Sequence, residues 1–194
     1  MRVIAGTARS LKLKTPEGAD TRPTTDRIKE TLFNMIQMDV PGSIFLDLFS
    51  GSGGIGIEAL SRGAKHAYFI ENAKAAIACI QENLAFTKFA DKATLLKQDA
   101  SGALSLIAEK EVHIIFMDPP YQANLEGMVF ATLKEQRYVT ENTLIIVEAA
   151  IDKEFDFLKD IGFEVVKEKK YKTNKHDFCR KVGENEESNL SGKL

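Results

Sequence analysis

The residues best suited to chemistry are Asp118-Pro119-Pro120-Tyr121, directly after the apolar run Ile114-Ile115-Phe116-Met117. Two prolines fix the backbone beyond a strand and leave carbonyl groups without neighbouring N–H donors. The Asp118 carboxylate and the Pro119 carbonyl could then both accept hydrogen bonds from one amino group, with Tyr121 stacked on its ring. An amine conjugated to a purine is a weak nucleophile, because its lone pair is delocalised. Fixed acceptors on its N–H groups return electron density to nitrogen and aim the lone pair at an electrophile. Asp118 would also stabilise the positive charge that develops on nitrogen and help its proton leave. Asp-Pro-Pro alone is a common strand-ending turn. Its place after the fourth strand of a sheet whose first loop is rich in glycine is what points to chemistry.

That first loop is Asp47-Leu48-Phe49-Ser50-Gly51-Ser52-Gly53-Gly54-Ile55-Gly56. Glycines between a first strand and helix let the backbone approach a ligand closely, at the edge where open α/β sheets bind cofactors. The spacing Gly51-x-Gly53-x-x-Gly56 also satisfies the dinucleotide fingerprint, with Glu71 about 20 residues on as the ribose acceptor. The glycines alone therefore leave NAD and S-adenosylmethionine both open. Asp47 tilts the choice: four residues before Gly51, its carboxylate would repel a pyrophosphate and attract an ammonium and a sulfonium. The competing reading is that Asp47 merely caps the loop. Asp99, after the third strand, could accept from an adenine amino group. The expected cofactor contacts are Asp47, Phe49, Ser50, Gly51, Gly53, Gly56, Glu71, Asp99 and Ala100.

The elements that must position these residues follow from periodicity. Strands are expected at Ser43–Leu48, Ala67–Ile70, Thr94–Lys97, Val112–Met117, Thr143–Val147 and Phe163–Lys167. Helices are expected at Ile55–Arg62, Ala73–Phe86, Ser101–Glu109, Leu125–Gln136 and Lys153–Asp160. Alternation of the two predicts an α/β fold, with a mostly parallel sheet and helices on both faces. A last strand, His176–Val182, follows too short a connection for a helical crossover and should pair antiparallel. Ahead of the sheet, Arg2–Ile4 and Leu11–Lys14 read as a β-hairpin around Gly6. Thr24 or Thr25 then caps a helix whose apolar face is Ile28, Leu32, Phe33 and Ile36. The expected divisions are residues 1–40 as an N-terminal extension, 41–182 as the catalytic domain and 183–194 as a polar, disordered tail.

The net charge of −2 conceals a partition. Residues 1–29 carry +4 and residues 165–182 carry +5, whereas residues 30–164 carry −9. Basic ends around an acidic centre suit a chain whose ends touch a polyanion. Arg2, Arg9, Lys12, Lys14, Arg22 and Thr24 are the candidate nucleic-acid contacts. Cys79 and Cys179 match no paired-thiol motif, and three scattered histidines offer no metal spacing, so no metal is expected. Neither cysteine follows a proline as a pyrimidine-attacking nucleophile would, which disfavours carbon methylation. Without an apolar run of spanning length or a leader pattern, a cytoplasmic protein with no membrane partner is expected.

Taken together, the chain resembles the RsmD family of 16S rRNA guanine-N2 methyltransferases from Arg2 to about Thr173. The resemblance rests on Arg2-Val3-Ile4 with Gly6, Arg22-Pro23-Thr24 with Asp26-Arg27, and Leu32-Phe33-Asn34. It continues through Asp47-Leu48-Phe49-Ser50-Gly51-Ser52-Gly53, Glu58-Ala59-Leu60-Ser61-Arg62-Gly63-Ala64 and Asp118-Pro119-Pro120-Tyr121. The chain departs from the family at Ala5 and Ser10, where glycines are usual, and at Tyr171-Lys172-Thr173. The resemblance implies a class I methyltransferase (Rossmann-like) fold with seven strands, the last antiparallel, and S-adenosyl-L-methionine as cofactor. It implies a guanine of 16S rRNA, within a 30S particle or assembly intermediate, as substrate. Arg22 and Thr24 would then close over the cofactor or meet RNA, and Arg62 reads as structural or as lying at the RNA face. The alternatives are an adenine-N6 methyltransferase, an NAD-dependent oxidoreductase, and a catalytically idle RNA-binding chaperone.

Overall fold

A computed structural model describes residues 1–16, 26–120 and 125–183. Its centre is a seven-stranded sheet: β1 (Ile44–Leu48), β2 (His66–Ile70), β3 (Ala93–Leu96), β4 (Ile114–Met117), β5 (Leu144–Ala150), β6 (Phe163–Lys170) and β7 (Asn174–Lys181). The spatial order is β3-β2-β1-β4-β5-β7-β6. β1 to β5 are parallel, and β7 runs antiparallel between β5 and β6. The order reverses between β1 and β4, so the carboxyl ends of these two strands flank a topological switch point, where open α/β sheets hold ligands.

Each face of the sheet has its own core. On one, Phe45, Ile114, Phe116, Ile146 and Phe178 pack against α1 (Asp26–Met35), α2 (Gly54–Ser61) and α3 (Lys74–Thr87). On the other, Leu46, Leu48, Ile115, Met117, Ile145 and Val147 meet α4 (Ala100–Leu104) and α5 (Glu126–Lys134). Alternating residues of β1, β4 and β5 supply both cores, which is why these strands read as unbroken apolar runs.

Several elements differ from expectation, among them β4, which starts at Ile114, and β6, which runs on to Lys170. α4 stops at Leu104, whose carbonyl accepts from the Ile107 amide at 3.4 Å in a tighter turn and from the buried Tyr138 hydroxyl at 2.8 Å. The expected helix at Lys153–Asp160 is a 3-10 stretch, Asp156–Ile161, ended by Gly162 at φ 80°. β5 continues past Val147 to Ala150, pairing Glu148 with His176 and Ala150 with Asn174 of β7; Asn174 Nδ2 donates to the Glu148 side chain at 2.7 Å, and His176 Nε2 lies 3.2 Å from it.

The N-terminal segment is the expected small hairpin around Gly6: Arg2 and Lys12 form an antiparallel bridge, the Val3 amide donates to the Leu11 carbonyl at 2.9 Å and the Leu13 amide to the Met1 carbonyl at 3.1 Å. The amides leading into its turn face α2 instead. The buried Glu58 carboxylate accepts from the Ile4 and Ala5 amides at 2.7 and 3.1 Å, and Ser61 Oγ accepts from the Ala8 amide at 3.0 Å. Gly6, at φ 83°, passes so close to Ser61 that a Cβ there would lie 1.8 Å from its carbonyl oxygen. Ser10 adopts φ 71°, a left-handed conformation that glycine takes more easily, at one of the positions where the family usually has glycine. Lys29 of α1 is fully buried; its Nζ donates to the Arg2 carbonyl at 2.6 Å and lies 3.4 Å from Glu58. Arg62 completes the cluster at 2.8 Å from Glu58, so its role is structural. Val3, Ala8 and Leu13 enter the same core as α1 and the sheet.

Glu58→Ala should destabilise the protein by about 3–5 kcal/mol in chemical denaturation, because it strands the buried Lys29 ammonium and two loop amides. A loss under about 1 kcal/mol would show that the loop is held by its apolar contacts alone.

Candidate active site

The loop joining β1 to α2 is held by carboxylates of this chain. Asp47 is buried within β1, and its Oδ2 accepts from the Gly56 amide at 2.9 Å in the first turn of α2. Gly53, the residue before that helix, offers no side-chain cap, so Asp47 supplies the acceptor from the neighbouring strand. Glu71, just beyond β2, accepts from the Gly51 amide through Oε2 at 2.9 Å and from the Asn72 and Ala73 amides through Oε1. The Ser50 hydroxyl donates to the Asp47 carbonyl at 2.6 Å and accepts from the Ile70 amide at 2.9 Å, tying β1 to β2. Gly56 lies against the Phe69 ring, which a Cβ would approach to 2.4 Å.

Beside this loop opens a cleft of about 230 Å³. Phe49, Glu71, Asp99 and Ala100 line it, together with Ile70, Asn72, Gln98, Leu125 and Met128. Four of the nine residues expected to meet a cofactor thus share one wall, while Asp47, Ser50, Gly51, Gly53 and Gly56 form the loop next to it. Asp99 also caps α4, accepting from the Gly102 amide at 2.9 Å. Of the added lining residues, Ile70, Asn72 and Gln98 adjoin expected ones in sequence. Leu125 and Met128 bear no signal distinguishing them from core positions.

Asp118 directly follows β4 and is partly exposed, Pro119 is buried, and Pro120 is exposed; none of the three lines the cleft. Tyr121 lies outside the described residues, as do Arg22, Thr24 and the 184–194 tail. Burial pushes the Asp118 carboxyl up to about 8, and the charge of Glu148 adds to the effect. Burial likewise raises Asp47 well above the usual carboxylate range; the Gly56 amide opposes this, and Glu71 and Asp118 reinforce it. Asp47, Glu71, Asp99 and Asp118 form no ion pair among the described residues.

Sequence reasoning missed the polar cluster next to Asp118. Glu148 stands one step beyond the Met117–Val147 register pair, accepting from Asn174 Nδ2 and facing His176 Nε2. His176 Nδ1 lies 3.0 Å from the Tyr171 hydroxyl, and the His176 ring packs edge-on to Phe116. The signal was present: like Asp47 and Asp118, Glu148 is an acid at the carboxyl end of an apolar strand.

The cations expected to meet a polyanion are not equivalent. Arg2 pairs with Asp26 at 3.0 Å, and Lys14 pairs with Glu82. Arg9 and Lys12 are exposed and have no ion-pair partner among the described residues.

Comparison with known proteins bears on this arrangement. Residues 1–180 match the family described as Conserved hypothetical protein 95. The chain is 37% identical over 154 residues to the Escherichia coli (strain K12) protein named Ribosomal RNA small subunit methyltransferase D, covering 78% of this chain and 76% of that one. It is 38% identical over 164 residues to Bacillus subtilis YlbH, provisionally named an rRNA methyltransferase, covering 84% and 88%. Among solved structures it resembles Escherichia coli yhhF, provisionally described as a methyltransferase, with a TM-score of 0.79 at 31% identity over 95% of this chain and 99% of that one. The seven-stranded sheet with its antiparallel β7 is accordingly the Rossmann-like methyltransferase fold.

The raised Asp118 carboxyl has a consequence for stability. The folded protein holds that proton more tightly than the unfolded chain, whose Asp titrates near about 4. Its contribution to stability is therefore fully present below pH ~4 and is lost as pH rises towards about 8. Urea denaturation of Asp118→Asn should show a shallower fall in stability across that window than the parent protein, with the two converging in acid. Parallel pH profiles would contradict the shift.

Proposed function

The chain belongs to the RsmD family of rRNA methyltransferases, and from that premise we propose that it methylates the exocyclic N2 amine of a guanine in 16S rRNA, using S-adenosylmethionine. The observation that carries the cofactor reading is the occupancy of the glycine loop. Its Gly51 and Gly56 amides, which would cradle a pyrophosphate in a dinucleotide enzyme, already donate to Glu71 and Asp47. An anionic ligand would meet four carboxylates lacking an ion-pair partner among the described residues, whereas a ligand bearing an ammonium and a sulfonium offsets them. The donor set thus fits S-adenosylmethionine and disfavours NAD.

In this reading Asp47 and the Gly51–Gly56 loop hold the cationic end of the cofactor. Glu71 takes the ribose hydroxyls, and Asp99, Ala100 and Phe49 border the adenine. When bound, the cofactor supplies an electrophilic methyl group on positively charged sulfur. The rest of the chemistry belongs to Asp118-Pro119-Pro120-Tyr121. The Asp118 carboxylate and the Pro119 carbonyl accept from the amine, hold its lone pair in line with the methyl group and stabilise the charge gained by nitrogen. Asp118 then takes the proton as the N-methyl product forms. A carboxylate offers only acceptors, which matches the adjacent N1–H and N2–H donors of guanine. Tyr121 stacks on the base, which must leave its helix to enter the site. No helix among the described residues is long and apolar enough to cross a membrane.

The test is methyl incorporation from labelled S-adenosylmethionine into 30S particles of a strain lacking the enzyme, followed by nucleoside analysis. N2-methylguanosine should accumulate, and Asp118→Ala should slow its formation by about 100-fold or more while cofactor binding persists. Label in N6-methyladenosine would move the target to adenine. No label in particles or free rRNA would end the rRNA assignment.

A further inference from the structure

We propose that the β6–β7 hairpin is an RNA-gripping arm, in which Lys167, Lys169 and Lys172 bind backbone phosphates beside the target base. The proposal rests on the rRNA reading and adds a surface to it. β6 is the outer edge of the sheet, and every residue from Glu164 to Lys170 is exposed. The strand therefore stands clear of the helices that cover its neighbours.

Charge pairing separates its lysines. Lys170 lies 3.1 Å and Lys175 2.8 Å from Glu168, so that carboxylate is already neutralised. Lys167, Lys169 and Lys172 are exposed and have no ion-pair partner among the described residues. On β6, Lys167 and Lys169 stand opposite Phe178 and His176 of β7, one residue apart, and so share a face.

Direction matters as much as charge. β7 is antiparallel to β5, with Asn174 opposite Ala150, so the 171–173 turn lies at the carboxyl edge of the parallel strands. That edge holds Asp118. From the turn, Tyr171 reaches His176, His176 reaches Glu148, and Glu148 neighbours Asp118. The lysines thus climb an uncovered strand towards the base site, as a backbone contact flanking an everted nucleotide requires.

The experiment compares RNA affinity over a salt series for three proteins: the parent, a Lys167→Gln/Lys169→Gln/Lys172→Gln variant, and a control. The control, Lys65→Gln/Lys88→Gln/Lys92→Gln, removes the same charge from exposed positions, two of which directly precede β2 and β3 at the opposite edge of the sheet. The probe is the 16S rRNA fragment that the parent methylates or, if none is methylated, a single-stranded RNA of mixed sequence. The hairpin variant should bind about tenfold or more weakly than the control. Its log–log salt slope should be shallower by about 2, from three phosphate contacts at ~0.7 each. Melting temperature and S-adenosylmethionine affinity should match the parent, which separates lost contacts from misfolding. Equal affinities for the hairpin variant and the control would overturn the proposal, and new self-association of the hairpin variant would then identify the lysines as guards of an open sheet edge. Absence of methyl transfer by the parent would count against the rRNA reading alone. Absence of RNA binding by the parent would overturn both.

Discussion

Acidic groups without a countercharge govern the functional edge of this protein. Asp47, Glu71, Asp99 and Asp118 all stand at or just beyond the carboxyl ends of parallel strands, and none forms an ion pair among the described residues. Burial raises Asp47 and Asp118, with Glu71 and Asp118 adding to the first and Glu148 to the second, so both hold their protons more tightly than ordinary carboxylates. Such an arrangement is unfavourable for the isolated fold and favourable for a cationic ligand, the exchange of stability for function expected at a binding site. The same carboxylates take the Gly51 and Gly56 amides, turning a loop of dinucleotide-like spacing away from phosphate.

A second cluster keeps this edge in place. Glu58, fully buried on α2, gathers the Ile4 and Ala5 amides, Lys29 of α1 and Arg62 around one carboxylate. Charge here is paired and hydrogen-bonded, the reverse of the situation in the cleft. The cluster fixes the N-terminal segment and α1 to the helix that begins at the glycine loop. It also gives a physical reason for Glu58, Ser61 and Arg62, which help carry the family resemblance yet do not line the cleft.

The central sheet was legible because its strands are continuous apolar runs covered on both faces, and the glycine loop and Asp118 because each ends such a run. Asp47 carried two readings, cofactor attraction and loop capping. The structure has its carboxylate capping the loop, a geometry that leaves the attraction of a cation intact. Less legible were features set by distant partners. Tyr138 meets the Leu104 carbonyl at the early end of α4, and β5 continues through Glu148 by pairing with Asn174–His176 of β7, more than 25 residues away. The small N-terminal hairpin was legible, but sequence periodicity could not show that its Ile4, Ala5 and Ala8 amides are claimed by Glu58 and Ser61. Charge partition found both basic ends, but only the folded chain separates paired Arg2 and Lys14 from Lys167 and Lys169, which have no ion-pair partner among the described residues.

The claim that a cation belongs in this cleft is tested most directly by calorimetry of ligand binding near neutral pH in buffers of different ionisation enthalpy. Binding of S-adenosylmethionine should release protons, because its positive charge lowers the raised carboxyls, and S-adenosylhomocysteine, which lacks the sulfonium, should release fewer. Proton uptake, equal release by the two ligands, or NAD binding as tight as either would contradict the account.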